Sequence, residues 1–230
     1  DSLAGLTVKK ARAKVVELAT VAGATIGDPK PIQHDVKFYE KGDRPLEIVA
    51  SRQWYLKNGA RDPELRARLI AAGRQLDWHP GFMRIRYEHW VEGLNTDWLI
   101  SRQRFFGVPF PVWYPVDADG ETSWDEPIMP EGADLPIDPQ AHVPTGFNEE
   151  QRGAPGGFVG DPDVMDTWAT SSLTPEIAGG WIEDSQLFDK VYPMDLRPQG
   201  PEIIRTWLFS TMLRGLLEHH QRPWEHVCIN

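Results

Sequence analysis

A chain of 230 residues with 40% hydrophobic and 25% charged residues has the make-up of a soluble globular protein, large enough for one sizeable domain or for a domain plus a piece of another. No apolar run approaches the roughly 18–20 residues that cross a bilayer, so a membrane-spanning reading is excluded. The formal net charge is −10, but residues 115–163 hold twelve carboxylates against the single base Arg152, so the acidity is local and the remainder is close to neutral. A dense basic stripe of the kind that marks an autonomous nucleic-acid binder is missing.

Residues 7–22 are predicted as an amphipathic helix. Thr7 is its N-cap, Ala11, Val15, Leu18 and Ala22 share one face, Lys9, Lys10 and Lys14 mark the wet face, and Gly23 closes it. Strands follow near 34–40 and 46–55, split by the turn Lys41-Gly42-Asp43-Arg44-Pro45. A helix over 63–76 starts at the N-cap Asp62, with Pro63 at the first helical position, and turns Leu65, Leu69 and Ala72 inward. A further helix is expected over 82–95, with Ile85, Trp90 and Leu94 inside.

Between Asp97 and Trp113 lies a run with neither helical nor strand periodicity: Asp97-Trp98-Leu99-Ile100-Ser101-Arg102-Gln103-Arg104-Phe105-Phe106-Gly107-Val108-Pro109-Phe110-Pro111-Val112-Trp113. It reads as a tightly built junction that holds a ligand-facing surface. Its end, Pro111–Tyr114, is a candidate buried strand. Residues 115–163 carry eight prolines and seven glycines and are expected to form an extended, mobile surface insertion, with Gly153–Gly160 as linker. Compact structure resumes at Val164. Met194–Gly200 reads as a strand and turn, 201–219 as a helix with Pro201 first and Ile204, Leu208, Met212, Gly215 and Leu216 on one face, and Trp224–Ile229 as the next strand. Strand, helix, strand in that order predicts a parallel βαβ unit of an α/β sheet.

Two places could carry chemistry. Gln199-Gly200-Pro201-Glu202 sits where a parallel strand ends and a helix begins, the position at which open α/β sheets bind ligands. Gly200 permits close approach, the helix start supplies N–H groups, and Glu202 could accept from sugar hydroxyls. The plain alternative is a glycine turn with a dipole-stabilised glutamate. Asp166-Thr167-Trp168 with Thr170-Ser171-Ser172 forms a hydroxyl-rich patch around one indole; without a GxSxG elbow it reads first as cap and turn residues. Cys228 is the only cysteine, which excludes an intrachain disulfide and a thiolate zinc centre and suits a reducing, cytoplasmic setting. The seven histidines lack metal spacing, and His219-His220 at a helix end suits the helix dipole. No metal site is expected.

Three separated segments resemble the valyl-tRNA synthetase family of class I aminoacyl-tRNA synthetases, in the family's order. Asp97–Trp113 is similar to the DW-x-ISRQ-x-x-x-G-x-x-(I/F)-P-x-W segment of the valine, isoleucine and leucine enzymes. Asp163-Val164-Met165-Asp166-Thr167-Trp168 with Ser171-Ser172 is similar to the valine family's DV-(L/F/M)-DTW-x-(S/T)-S. Arg197–Trp207 contains its G-x-(D/E)-I-(I/L). Ala4-Gly5-Leu6, His34 and Arg52-Gln53-Trp54-Tyr55 look like the exit from that family's editing insertion.

The resemblance implies an internal piece of a longer enzyme, as do the start at Asp1 and the end within a strand at Asn230. It implies the second half of a Rossmann-type catalytic domain with parallel strands, plus the C-terminal tail of the editing insertion. The expected division is 1–50 for that tail, 51–114 for the junction, 115–163 for the insertion and 164–230 for the βαβ part. Trp113 and Trp168 are implied as two aromatic walls of the amino-acid pocket, near each other and near Gly200, with Asp166 beside them orienting the substrate ammonium. Gln199, Gly200 and Glu202 are implied as adenylate contacts, and Ser101, Arg102 and Gln103 as structural junction residues. The implied partners are valine, ATP with Mg, and tRNA(Val), with editing of misactivated threonine, and no zinc or membrane. The HIGH and KMSKS motifs that handle the ATP phosphates do not occur in these residues, so no catalytic group is assigned and the chain alone is expected to be inactive. Two other readings stand beside this one: an isoleucyl- or leucyl-tRNA synthetase piece, against which Asp166-Thr167-Trp168 speaks, and a non-catalytic acidic interaction module built on 115–163.

Overall fold

A computed structural model describes residues 2–30, 32–33, 35–39, 42–46 and 50–230. The chain divides into two compact units, Asp1–Ser51 and Arg52–Asn230.

The first unit contains α1 (Val8–Val21) and a hairpin. Thr7 occupies the N-cap position, but its side chain makes no capping bond. At the other end Gly23 is left-handed (φ +69°), and the Ala24 and Gly23 N–H groups close back on the Ala19 and Thr20 carbonyls at 2.8 and 3.0 Å. That is the paired bonding of a glycine-terminated helix. The expected inner stripe is not buried: Val15 and Leu18 are exposed and only Ala11 of the four is half-buried. The hairpin bridges Phe38 to Pro45, with Tyr39 N–H on Arg44 O at 3.0 Å. His34, residues 40 and 47–49 of the two expected strands and residue 41 of the turn between them lie outside the described residues.

The second unit runs through β1 (Tyr55–Leu56), α2 (Pro63–Arg74), β2 (Asp77–His79), α3 (Met83–Glu92), β3 (Trp98–Leu99), β4 (Ser101–Arg102), β5 (Trp113–Pro115), β6 (Phe158–Gly160), β7 (Val164–Met165), α4 (Thr167–Ser171), α5 (Thr174–Gly179), α6 (Ser185–Val191), β8 (Met194–Gln199), α7 (Phe209–Glu218) and β9 (Trp224–Ile229). Asp62 caps α2 as its sequence predicts, accepting from the Glu64 and Leu65 N–H groups at 3.1 and 3.0 Å. Leu65, Leu69 and Ala72 are buried. In α3 the inward residues are Tyr87 and Val91, whereas Ile85 points to solvent. Tyr87 wins the inner face because its ring fills the core while its hydroxyl reaches the Leu69 carbonyl at 3.0 Å.

β8 and β9 are parallel, paired from Met194↔Trp224 to Gln199↔Ile229, with α7 between them. The predicted βαβ unit is therefore present. A third parallel strand, β2, joins the other edge of β9 in the order β2-β9-β8. Its three residues are too short a run to show a period. Leu69, Val91, Leu208, Met212, Trp224 and Val227 form the centre of the core between these strands and helices α2, α3 and α7. Each such fully buried side chain contributes roughly 1.5–3 kcal/mol of transfer free energy.

The helix predicted over 201–219 is not one helix. Pro201–Ile203 is a tight turn, Ile204–Leu208 a wide π-type turn, and regular helix begins at Phe209. The Ser210 and Thr211 hydroxyls both bond the Trp207 carbonyl, at 3.3 and 2.7 Å. Such local bonds compete with the regular helical ladder. The apolar stripe survives: Ile204, Leu208, Met212 and Leu216 are buried.

The acid-rich insertion is folded rather than extended. β5 and β6 pair antiparallel across it, from Trp113↔Gly160 to Pro115↔Phe158. Residues expected as linker thus supply a strand, and Phe158 is completely buried. The one base of the segment holds it together. Arg152 donates to the Pro139 and His142 carbonyls at 2.8 and 2.9 Å, pairs with Glu149 and lies over the Phe158 ring.

Candidate functional site

A large cavity, about 1110 Å³, is assembled from segments far apart in sequence: 93–99, 102–107, 164–168 and 205–210, with Tyr55, Asn58 and Trp90. Two-residue strands bring the first three together. β1 pairs with β3 and β4 pairs with β7, both antiparallel. Gly107 allows the closest approach, since a Cβ there would fall 2.7 Å from a Val164 methyl.

Asp166 is the hub of this wall. It is buried (7% exposed) and caps α4 by accepting the Trp168 N–H at 2.8 Å. Its other oxygen accepts from the Trp98 indole at 3.3 Å and from the Arg102 guanidinium. Arg102 also donates to the Leu99 and Ser101 carbonyls at 2.7 and 2.8 Å. Ser101 and Gln103 also bond to other segments. Ser101 Oγ accepts from Trp54 N–H at 2.9 Å and donates to Gln53 at 2.7 Å, and Gln103 Nε2 reaches Asp163 at 2.9 Å. The hydroxyls of Thr170, Ser171 and Ser172 bond carbonyls three residues back, which matches the cap-and-turn reading of that patch.

The two tryptophans implied as pocket walls line different cavities. Trp168 lines the large cavity with Asp166, whereas Trp113 lines a second cavity of about 520 Å³ inside the insertion, beside Ile128 and His142. Trp113 is 1% exposed, and its indole donates to the His142 carbonyl at 3.0 Å. The reason is strand alternation. Val112 and Tyr114 turn to the cluster around Phe110, which forces Trp113 to the other face. Burial and the adjacent Asp161 push the Tyr114 hydroxyl well above its ordinary range.

Aromatic walls that sequence reasoning passed over are Trp90, Trp98 and Phe106. Phe106 is 86% exposed and packs edge-on against Phe105 at 4.9 Å. An aromatic pair directly before a glycine, in a run without periodicity, was the available signal.

Gln199, Gly200 and Glu202 stand at the carboxyl end of β8, apart from the residues that line the large cavity. That cavity meets the same connection farther on, at Arg205, Thr206 and Phe209. Gln199 is buried, and neither atom of its amide has a hydrogen-bond partner among the described residues. The Glu202 carboxylate folds over Gly200 into the space a Cβ would occupy. Behind them, Arg197 lies against the Trp207 and Trp224 rings, and burial pulls its guanidinium below the usual arginine range.

The model of the family described as tRNA synthetases class I (I, L, M and V) matches residues 5–230. The chain is 62% identical over 228 residues to the valine–tRNA ligase of Thermobifida fusca and 64% identical over 228 residues to that of Leifsonia xyli. It is 63% identical over 229 residues to that of Salinispora arenicola. These alignments cover 99–100% of this chain and 26–27% of the relatives, so the chain spans about a quarter of their length.

Proposed function

Because the chain belongs to the class I tRNA synthetases of the I, L, M and V group, we propose that it is the part of a valine–tRNA ligase that carries one wall of the amino-acid pocket and one adenylate contact. The intact enzyme joins valine and ATP as valyl-adenylate and transfers valine to tRNA(Val), with misactivated threonine removed by editing. In this reading the parallel sheet belongs to the second half of a Rossmann-type catalytic domain. Residues 1–50 are the C-terminal tail of the editing insertion, 51–114 the junction, 115–163 a surface insertion and 164–230 the βαβ part.

One observation carries the reading. The Asp97–Gly107 and Asp166–Trp168 segments, which resemble the valine enzymes on sequence, line a single cavity with aromatic walls. In this reading a side chain the size of valine lies against Trp168 and Phe106, apolar faces of the kind that separate substrates by size. The Gly200 cradle suits a nucleotide sugar. The Glu202 carboxylate lies over Gly200, where no side chain of its own stands in the way, and offers acceptors for ribose hydroxyls. ATP enters as a substrate with Mg, and the residues described here hold the nucleoside rather than the phosphates. The identity to valine enzymes favours valine over isoleucine or leucine.

The test is ATP–pyrophosphate exchange and tRNA charging by the full-length enzyme that contains this segment. Valine should support both, with isoleucine at least tenfold poorer in kcat/KM. Equal or better use of isoleucine overturns the reading. The 230-residue chain alone should give no exchange above background, because the phosphate-handling motifs are not in its sequence.

A further inference from the structure

The acid-rich insertion holds a groove of about 520 Å³ that the valine reading leaves unused. Trp113 and Pro144, both buried, line it together with Met129 and Val143, which are 61% and 38% exposed. Its walls are fixed from within. Trp113 and Ile128 exchange backbone hydrogen bonds at 3.1 and 2.7 Å, and the His142 carbonyl accepts from the Trp113 indole and from Arg152. A groove built this way spares a ligand the cost of ordering it. Two carboxylates line the same groove, Glu131 and Asp134, at the start and end of one tight turn. Both residues are exposed, and neither carboxylate has a hydrogen-bond or ion-pair partner among the described residues. The insertion's single base, Arg152, is paired with Glu149, so nothing nearby offsets their charge. Such a surface repels RNA, anionic membranes and acidic peptides, and attracts cations. A groove of this volume takes a few side chains, not a folded domain.

We propose that this groove docks an extended cationic segment of a partner protein, with an aliphatic side chain among Trp113, Met129 and Val143 and a Lys or Arg on either side against Glu131 and Asp134. The proposal goes beyond the valine reading and does not depend on it. Each half of the recognition does a different job. Apolar contact supplies the affinity, and the flexible Met129 side chain adapts to more than one aliphatic shape. The two carboxylates select the sign of the partner's charge and speed its encounter. Exposed ion pairs are individually weak, so charge without the apolar anchor does not hold the segment.

The experiment titrates the full-length enzyme that contains this segment into fluorescein-labelled peptides and reads anisotropy. The probe is Lys-Arg-Pro-Leu-Ile-Lys-Arg. One control peptide carries Ser-Ser in place of Leu-Ile, and a second carries Glu in place of every base. The probe should bind with a Kd below about 100 μM and weaken as salt is added. Both control peptides should bind at least about tenfold more weakly. Glu131→Gln with Asp134→Asn, and separately Met129→Ser with Val143→Ser, should each weaken the probe on the order of tenfold. Glu121→Gln with Glu150→Gln makes the same charge change at exposed acids elsewhere on the insertion and should shift the Kd by less than about twofold. All four positions of the groove variants are at least partly exposed, and an unchanged thermal unfolding curve checks that each variant is folded. The proposal is overturned if the probe binds more weakly than the stated Kd, or if the Ser-Ser or Glu peptide binds as well as the probe. It is equally overturned if either groove pair leaves the Kd unchanged, or if the Glu121 and Glu150 pair loses as much as the Glu131 and Asp134 pair.

Discussion

The guanidinium of Arg102 rests on the buried carboxylate of Asp166 and ties the 98–102 segment to the start of α4, 64 residues farther along the chain. The same carboxylate caps α4 and holds the Trp98 indole. Cutting the contact therefore disturbs a helix end, a cation and an indole together. Asp166→Ala should destabilise the chain by about 2–4 kcal/mol, since removal of one partner strands the others in a poorly hydrated place. Arg102→Ala should cost less, because its side chain is 35% exposed against 8% for Asp166 and water can replace part of what is lost. Urea midpoints with an unchanged m-value measure both. Equal, near-zero losses would show that the contact does not matter to the fold.

Asp62→Ala should cost about 1 kcal/mol through loss of the cap on α2. Both bonded N–H groups, of Glu64 and Leu65, lie in the first turn and have no carbonyl within the helix to replace the carboxylate. Asp62→Asn should recover most of the loss, because its amide oxygen still accepts. The comparison is made by urea denaturation at one pH.

Glu176 should make stability fall as pH rises through the weakly acidic range. Its carboxylate is 1% exposed, and desolvation by burial raises its pKa, opposed in part by His219 and Arg214, while the Tyr192 hydroxyl lies nearby. A folded-state pKa above the unfolded one means that the native state holds the proton longer. The stabilisation is complete below the ordinary glutamate range near 4.3 and is lost as pH climbs toward the raised value. Glu176→Gln, neutral at every pH, should lack this decline. Its stability advantage over the parent chain should grow from pH 4 to pH 7 in a series of urea titrations, and a constant difference would refute the assignment.

Trp168→Ala in the intact enzyme should widen the pocket and weaken discrimination against larger aliphatic side chains by about 1–3 kcal/mol, the scale of one methylene in an apolar site. The ratio of kcat/KM for valine and isoleucine in pyrophosphate exchange reads this directly. Trp113→Ala should leave that ratio unchanged and instead loosen the insertion, because its indole is bonded to the His142 carbonyl in a separate cavity.

Local chemistry is written in the sequence wherever one short stretch settles the outcome. Asp62 before Pro63, the leucines of α2, the strand–helix–strand order at the C-terminal end and the glycine after α1 all behave as their residue types require. Their determinants lie within a turn or two of each other. The resemblance of the 97–113 and 163–172 runs to the valine enzymes was equally legible, and the family match agrees with it.

The sequence did not contain the partnerships that decide direction. β2 is three residues long and exists as a strand because β9 pairs with it in parallel. Trp113 lines a cavity of its own while Val112, just before β5, and Tyr114, on it, pack with Phe110. Arg152 turns an acidic stretch with many prolines into a folded element by collecting carbonyls from Pro139 and His142. Asp166 and Asp97 have the same side chain. Only the fold gives Asp166 three donors and leaves Asp97 without one, because hydrogen-bond saturation depends on groups that approach from other segments.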